Sequence, residues 1–278
     1  MQQTIAKAAS YTGIGLHSGK DVTISLLPAP PDTGIVFIRV DLPGQPRVKA
    51  WAGNVTQTMR ATTLEDGLAK VFTVEHLLAA CYAVGLDNCL VEINSVEPPV
   101  ADGSSLPFIE LIRSAGLVRQ DRPVRIYDLK QSFIVRYPDK FIAILPYDGF
   151  RITFTSLHPQ IGIQFGDYEI TTEIFLQEIA SARTIGFMHE IAEMQTKGLA
   201  LGGSPENAVL YDGGKAINPL RFPDELVRHK ILDVVGDLSL VGQRLRGHVV
   251  AVKSGHELNT ALAREIILSA NTDEEVVR

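Results

Sequence analysis

The chain has 278 residues, 45% of them hydrophobic, which is enough apolar material for one large domain or two ordinary ones. A formal net charge of −6 argues against the broad basic surface of nucleic-acid binding proteins, so nucleic acid is not expected as a partner. The N-terminus lacks the apolar core of a signal peptide, and no run approaches the roughly 18 apolar residues of a membrane span, which predicts a cytoplasmic protein without an integral membrane segment.

The first half is predicted to mix strands with helices. VTISLLPA and IVFIRVDL, separated by PPDTG, predict strands because Pro and Gly interrupt β-branched runs. A helix is predicted from an N-cap at Thr73 to a stop at Gly85, followed by the strand NCLVEINSV and the helix LPFIELIRSAGL. Cys81 and Cys89 lie in apolar runs without the spacing of a metal knuckle, which predicts buried, reduced thiols.

A domain boundary is predicted at RQDRPV, residues 119 to 124, which is charged and contains a proline. The strands VRIYDL, QSFIVRY, KFIAILPY and FRITFTSL follow, and then the helix MHEIAEMQTKG, a short strand and a helix from about Asp224. GLALGGS lacks the spacing of nucleotide-binding glycine motifs, which indicates a flexible loop or a small insert. Each half thus reads as strands followed by helix, strand and helix, which suggests two related α+β units.

The motif FPDELVRHKILDVVGDL carries His229, Asp233 and Asp237 at intervals of four residues. Side chains four apart on a helix project together, so the first two can reach one ion, although such pairs are more often solvated ion pairs. Glu75 and His76 shift that balance, because a zinc hydrolase needs three protein ligands, an open position for water and a nearby carboxylate. The helix dipole would also keep the imidazole of His76 neutral and available as a ligand.

These residues favour a zinc hydrolase assembled from two domains and do not identify its substrate; an amidase for any of several acylated amines would fit them equally. The alternative is a non-catalytic sugar-nucleotide or lipid binding protein with a structural metal, but structural zinc usually has all four positions filled by protein. His256, in KSGHELN, lies at the predicted entry to the last helix, where loops often carry catalytic groups, although a lone histidine there is more often a cap or a surface residue.

Eight stretches along nearly the whole chain resemble, in order, the UDP-3-O-acyl-N-acetylglucosamine deacetylases, the zinc enzymes of the committed step of lipid A biosynthesis. The matching stretches are TGIGLHSGK, TVEHLLAA, LDNCLVEIN, PVADGSSLPF, ARTIGFM, LALGGS, RHKILDVVGDL and KSGHELN. The resemblance implies hydrolysis of the N-acetyl group of a small-molecule acylated UDP-sugar, with release of acetate. No obligate protein partner is predicted.

Carried over residue by residue, the resemblance implies that His76, His229 and Asp233 bind one Zn²⁺ per chain, with water as the fourth ligand. Ligand type alone does not distinguish zinc from Fe²⁺. The same resemblance makes Glu75 the general base and His256 the general acid.

The resemblance also implies that Asp237 pairs with His256 and that the Thr184 hydroxyl stabilises the oxyanion. Contacts to substrate are assigned to Lys230, Lys140 and Phe187, with Lys140 at the diphosphate. A surface role for Lys140 is about as well supported by the sequence. The remaining four histidines are expected to be structural or on the surface; they are His17, in the GLHSGK loop, and His158, His189 and His248, for which the sequence indicates no partner.

For the fold, the resemblance implies two similar two-layer α/β sandwich domains, with helices packed between the sheets and the zinc site at the domain interface. Residues 1–120 would supply Glu75 and His76, and residues 125–278 would supply the remaining ligands and His256. An insert at about 188–214 would hold the acyl chain. Two departures from the family are Ile185, where phenylalanine is expected, and the absence of a cysteine in MRATTLEDGLAKVF.

Overall fold

The computed structural model describes the backbone of residues 1–276 and the side chains of residues 1–269. The last two residues of the predicted second domain therefore lie outside the described residues. The strands are β1 (Gln3–Ile5), β2 (Ala9–Ile14), β3 (Asp21–Pro28), β4 (Ile35–Arg39), β5 (Arg47–Lys49), β6 (Val55–Gln57), β7 (Thr63–Asp66), β8 (Ala69–Phe72), β9 (Cys89–Ile93), β10 (Leu117–Arg119), β11 (Ile126–Asp128), β12 (Phe133–Arg136), β13 (Phe141–Leu145), β14 (Phe150–His158), β15 (Gly162–Glu169), β16 (Ile185–Phe187), β17 (Val209–Asp212), β18 (Lys215–Ala216) and β19 (Arg244–Val252). The helices are α1 (Glu75–Val84), α2 (Leu106–Ala115), α3 (Thr172–Ile174), α4 (Met188–Thr196), α5 (Glu225–Leu238) and α6 (His256–Val276).

Two sheets with the same strand arrangement carry the fold. The first has the order β2-β3-β9-β4-β5 and the second the order β12-β13-β19-β14-β15, with β11 added in parallel to β19. Along each order the pairings are antiparallel, antiparallel, parallel and antiparallel. The chain is therefore an α+β protein, as predicted, and the repeated order supports the hypothesis of two related units. The boundary at 119–124, between β10 and β11, stays a prediction.

The helices occupy the space between these sheets. Helix α1, which follows the first strands, packs against α5, and α5 packs in turn against β14, β15 and α6. Nine of the ten residues of α1 are buried, which explains why its sequence is apolar on every side. One continuous apolar core therefore joins α1 to α5, and the polar side chains at the start of α1 meet the polar face of α5. None of the described helices has the length and apolar content of a membrane span.

The N-terminus of α1 differs from the prediction. Thr73 has a φ of 56°, which is outside the extended region that an N-cap residue adopts, and its hydroxyl donates to Glu97 Oε2 at 3.2 Å. The cap position falls on Val74, which makes no side-chain capping bond. The predicted stop is confirmed, because Gly85 ends the helix in the left-handed conformation with a φ of 81°.

A small unit of β16, α4, β17 and β18 lies between the strands of the second sheet in sequence and covers the predicted insert at 188–214. Its core consists of Phe187, Val209 and Tyr211. The GLALGGS stretch that follows α4 is tied to the loop after β2, because Gly202 N donates to Leu16 O at 3.0 Å. This stretch therefore packs against the first half of the chain. The sequence had indicated either a flexible loop or a small insert for it.

Candidate active site

Helices α1 and α5 bring together three buried side chains that can bind one metal ion. His76 lies in the first turn of α1, and His229 and Asp233 lie one turn apart on α5. One potential ligand atom from each lies within 4.8 Å of the other two. Asp233 Oδ1 is 3.4 Å from His229 Nε2 and 3.9 Å from His76 Nε2. Neither contact is a hydrogen bond, and the distances leave room for an ion between the three atoms.

The chemistry of the three groups fits a divalent cation. Asp233 Oδ1 is buried and has no hydrogen-bond partner among the described residues, whereas Oδ2 accepts from Lys230 Nζ at 2.8 Å. Burial opposes ionisation of Asp233, but the charge of Lys230 holds its pKa below the usual range. An ionised oxygen that is buried without a donor is costly unless a cation faces it.

Both imidazoles are held in the neutral form that a metal ligand needs. Burial lowers the pKa of His76 to about 3, and burial also lowers the pKa of His229. His229 Nδ1 donates to Ala182 O at 3.1 Å, so the proton resides on Nδ1 and the lone pair of Nε2 faces Asp233. The hydrogen bond therefore sets both the tautomer and the direction of this side chain.

Glu75 lies beside this group and is 2% exposed. Burial raises its pKa to about 7, so the carboxyl group can gain and lose a proton near neutral pH. Its Oε2 accepts from Thr62 N at 3.1 Å, and its Oε1 is 3.9 Å from His256 Nε2. An ionisable carboxyl and an imidazole thus face each other next to the possible metal site.

His256, at the first position of α6, is paired with Asp237 from α5. The Nδ1–H group donates to Asp237 Oδ2 at 2.9 Å. Burial disfavours the charged imidazole, but the charges of Asp237 and then Glu75 raise its pKa to about 10. Asp237 also accepts from Asn259 Nδ2 at 2.9 Å and from the Thr62 hydroxyl at 2.6 Å. His256 therefore carries a proton at neutral pH that it can donate.

These groups open into one cavity of about 410 Å³. The predicted site residues on its wall are Glu75, His76, Thr184, Phe187, His229, Lys230, Asp233 and His256. The Phe187 ring is stacked on His158, with centroids 3.8 Å apart and planes at 8°. Ile185 also lines the cavity, so the departure from the expected phenylalanine changes the wall itself.

Asp237 and Lys140 are the predicted site residues that do not line this cavity, and Lys140 lies apart from it. Its Nζ donates to Glu257 Oε2 at 3.1 Å and sits 4.8 Å above the Tyr137 ring. Glu257 follows His256, so Lys140 is close to the site along the rim of the second sheet. Asp237 lies on the other side of the His256 ring, where it accepts the hydrogen bond from Nδ1.

Several cavity and support residues had no predicted role in the site. Thr62 contacts both Glu75 and Asp237, and Arg60 and Glu190 face each other across the cavity wall. Thr62 and Asp237 are 175 residues apart in sequence, so no spacing pattern could have paired them. His158 was expected to be structural or on the surface, and it lines the cavity.

Comparison with known proteins assigns the family. The family model described as UDP-3-O-acyl N-acetylglycosamine deacetylase matches residues 2–268. The chain is 47% identical over 270 residues to the UDP-3-O-acyl-N-acetylglucosamine deacetylase of Geobacter sp. (strain M21), covering 96% of this chain and 88% of the relative. It is 43% identical over 272 residues to the protein of the same name from Thioalkalivibrio sulfidiphilus, covering 96% and 90%. The corresponding Hahella chejuensis protein is 42% identical over 281 residues, covering 99% and 93%. The chain therefore belongs to the UDP-3-O-acyl N-acetylglycosamine deacetylase family.

Proposed function

We propose that this chain hydrolyses the N-acetyl group of UDP-3-O-(3-hydroxyacyl)-N-acetylglucosamine, releasing acetate and a free glucosamine amine in the committed step of lipid A biosynthesis. The observation that carries the proposal is the unpartnered, ionised Asp233 Oδ1, which faces two neutral imidazoles in the cavity that also holds Glu75 and His256. The names of the relatives supply the substrate class. Cytoplasmic location stays a prediction.

The metal we propose is one Zn²⁺, held by His76 Nε2, His229 Nε2 and Asp233 Oδ1. Nitrogen and carboxylate donors suit zinc, and three protein ligands leave a position open for water or substrate. Bound there, zinc supplies a water of lowered pKa and polarises the acetyl carbonyl. Lys230 keeps the second oxygen of Asp233 occupied, which leaves Oδ1 as the free ligand atom.

The proton transfers follow from the two pKa values. Glu75 accepts a proton from the attacking water, because a carboxylate with a pKa of about 7 is about half ionised at neutral pH and more basic than an ordinary carboxylate. As the C–N bond of the tetrahedral species breaks, His256 gives its proton to the departing nitrogen. The Thr184 hydroxyl, on the same cavity wall, donates to the carbonyl oxygen as negative charge develops there.

The remaining predicted residues are proposed to bind the rest of the substrate. Lys230 lies on the cavity wall with 30% of its side chain exposed, so it can meet a polar group of the substrate. Phe187 offers an apolar ring at the insert side, and the insert at about 188–214 is proposed to hold the acyl chain. Lys140, which lies outside the cavity wall, is proposed to bind the diphosphate of the substrate.

The domain assignment is part of the same proposal. Residues 1–120 would form the domain that supplies Glu75 and His76, and residues 125–278 the domain that supplies the α5 ligands and His256. The repeated strand order of the two sheets supports this division.

Acetate release from UDP-3-O-acyl-N-acetylglucosamine tests the function. Purified protein should release acetate, lose activity on chelation and regain it with Zn²⁺. Glu75→Gln should retain zinc and fold while turnover falls by at least about 100-fold. Glu65→Gln, which affects an exposed ion pair with Lys70, serves as the matched control.

Two results would change the assignment. No acetate from folded, zinc-loaded protein, together with release from other acylated amines, would make the chain an amidase of a different substrate. Substrate binding without turnover of any acylated amine would support the non-catalytic alternative.

A further inference from the structure

The carboxylate of Glu225, the first residue of α5, is fully buried and fully bonded. Its Oε1 accepts from the Arg183 backbone N at 3.0 Å and from Arg183 Nε at 2.8 Å. Its Oε2 accepts from Arg183 Nη2 at 3.1 Å and from Arg221 N at 2.7 Å. Arg183 Nη2 also donates to Pro219 O at 2.6 Å. One side chain of α5 thus holds the backbone and the guanidinium of a residue 42 positions earlier in the chain.

The residue it holds lies between two groups of the active site. The preceding residue, Ala182, provides the carbonyl that accepts from His229 Nδ1 at 3.1 Å. The following residue, Thr184, lines the cavity and is fixed from its other side, where its N donates to Gly103 O at 2.8 Å. Any shift of residue 183 therefore moves the acceptor that orients His229 and the hydroxyl of Thr184.

We propose that Glu225 and Arg183 are positioning residues of the active site, which act through the Ala182 carbonyl on His229 and through the backbone on Thr184. His229 and Glu225 stand on the same helix, four residues apart, so the ion pair fixes the carbonyl relative to the helix that carries the metal ligand. The network closes a ring from α5 through Arg183 and Ala182 back to α5.

A buried ion pair alone is weak evidence for a functional role, because such pairs also anchor helices. One contact argues for more than anchoring. Glu225 accepts from a backbone N–H adjacent to the His229 acceptor, and groups that hydrogen-bond to a metal-binding histidine typically change metal affinity by about 10–100-fold when altered. The effect on zinc binding is independent of the substrate, whereas the effect on Thr184 rests on the proposed function.

The test compares Glu225→Gln with a control at another ion pair made by the same helix. Glu178→Gln removes the charge of one of the two carboxylate partners of Arg228, the residue before His229, and leaves the Ala182 carbonyl untouched. Zinc affinity is measured by competition with a chelator, alongside the unfolding midpoint and kcat and KM at saturating zinc. We expect Glu225→Gln to bind zinc about tenfold more weakly and to lose kcat with KM little changed, and Glu178→Gln to match wild type in zinc affinity.

Wild-type zinc affinity and kcat in a folded Glu225→Gln variant would overturn the proposal, leaving only an anchor for α5. If that variant does not fold, Arg183→Lys decides, because it keeps the charge and the backbone N–H but loses the forked contact. A fall in zinc affinity or kcat in Arg183→Lys supports positioning, and wild-type values overturn it. Weaker zinc binding in a chain whose wild type releases no acetate would keep the positioning role and remove the proposed function.

Discussion

The backbone of Gly236 in α5 lies directly against the carbonyl of Glu75 in α1. A Cβ atom built at Gly236 would stand 2.2 Å from Glu75 O and 3.0 Å from Glu75 Cα, much closer than real side chains approach backbone. Gly236 therefore permits the close helix contact that places Glu75 of α1 beside His229 and Asp233 of α5.

Gly236→Ala should separate the two helices at this point. The forced shift should cost about 1–3 kcal/mol of unfolding free energy and lower the unfolding midpoint by several degrees, as overpacked cores do. The rate of acetate release should also fall, and by more than the loss of folded protein explains, because Glu75 moves relative to Asp233. Thermal unfolding and acetate release measure the two effects. Gly203→Ala is the control for the unfolding measurement, since a Cβ there meets its nearest neighbour at an ordinary 3.5 Å. Wild-type activity in Gly236→Ala would show that the helix contact does not place Glu75.

Sequence patterns predicted the local part of this site and missed its long-range part. The four-residue spacing put His229 and Asp233 on one face of a helix, and the structure has both on α5. Nothing local in the sequence indicates that α1 reaches α5, because that contact depends on packing around Gly236. The assignment of His76 to the same ion came from the family resemblance, and its geometry needed the fold.

Backbone groups are the other part that sequence patterns could not predict. The Ala182 carbonyl orients His229, yet every residue has a carbonyl and none is marked by its side chain. Likewise Thr73 looks like a helix cap, but its hydroxyl is bound to Glu97, a contact made only in the folded chain. Such positions are decided by tertiary structure, which overrides local preference.

The rate should depend on pH through Glu75 and His256. Below a pH of about 7 Glu75 becomes protonated and cannot accept a proton, so kcat/KM should fall on the acid side. Above a pH of about 10 His256 loses the proton that it must donate, so kcat/KM should fall on the alkaline side. A profile without an alkaline limb would contradict the role of His256 as acid.

Asp237→Asn should move the alkaline limb alone. The carboxylate of Asp237 stabilises the imidazolium, so its removal lowers the pKa of His256, and the limb should shift by about 1–3 units to lower pH. Asp167→Asn, on an exposed carboxylate paired with Arg151, should leave the profile unchanged. An unshifted limb in Asp237→Asn would mean that another group is responsible for it.

The two cysteines should be unreactive in the folded protein. Burial raises the pKa of Cys89 to about 12 and raises that of Cys81 well above its usual value, so neither forms a thiolate near neutral pH. A thiol reagent such as DTNB should therefore titrate no groups in native protein and two in denaturant. Rapid labelling of the native state would contradict the buried, reduced thiols expected from the sequence.

An ion pair at the cavity offers a test of how the insert helps to bind substrate. Arg60 Nη2 is 3.0 Å from Glu190 Oε2, and both residues line the cavity with side chains 49% and 28% exposed. Arg60 belongs to the first half and has a left-handed φ of 66°, while Glu190 lies in the first turn of α4, a helix with no buried residue. The pair therefore ties a weakly packed helix across the cavity wall.

Arg60→Leu and Glu190→Gln should each raise KM by up to about fivefold with little change in kcat, because an exposed ion pair contributes at most about 1 kcal/mol. Without the ion pair, part of the free energy of substrate binding must be used to hold α4 in place, which weakens the observed binding. The exchanged pair, Arg60→Glu with Glu190→Arg, should recover part of the lost affinity, and high salt should reduce the difference from wild type. Glu193→Gln, which breaks the Lys197 pair farther along α4, should leave KM unchanged. Equal KM values at low salt in wild type, Arg60→Leu, Glu190→Gln and the exchanged pair would show that the Arg60–Glu190 contact has no part in substrate binding.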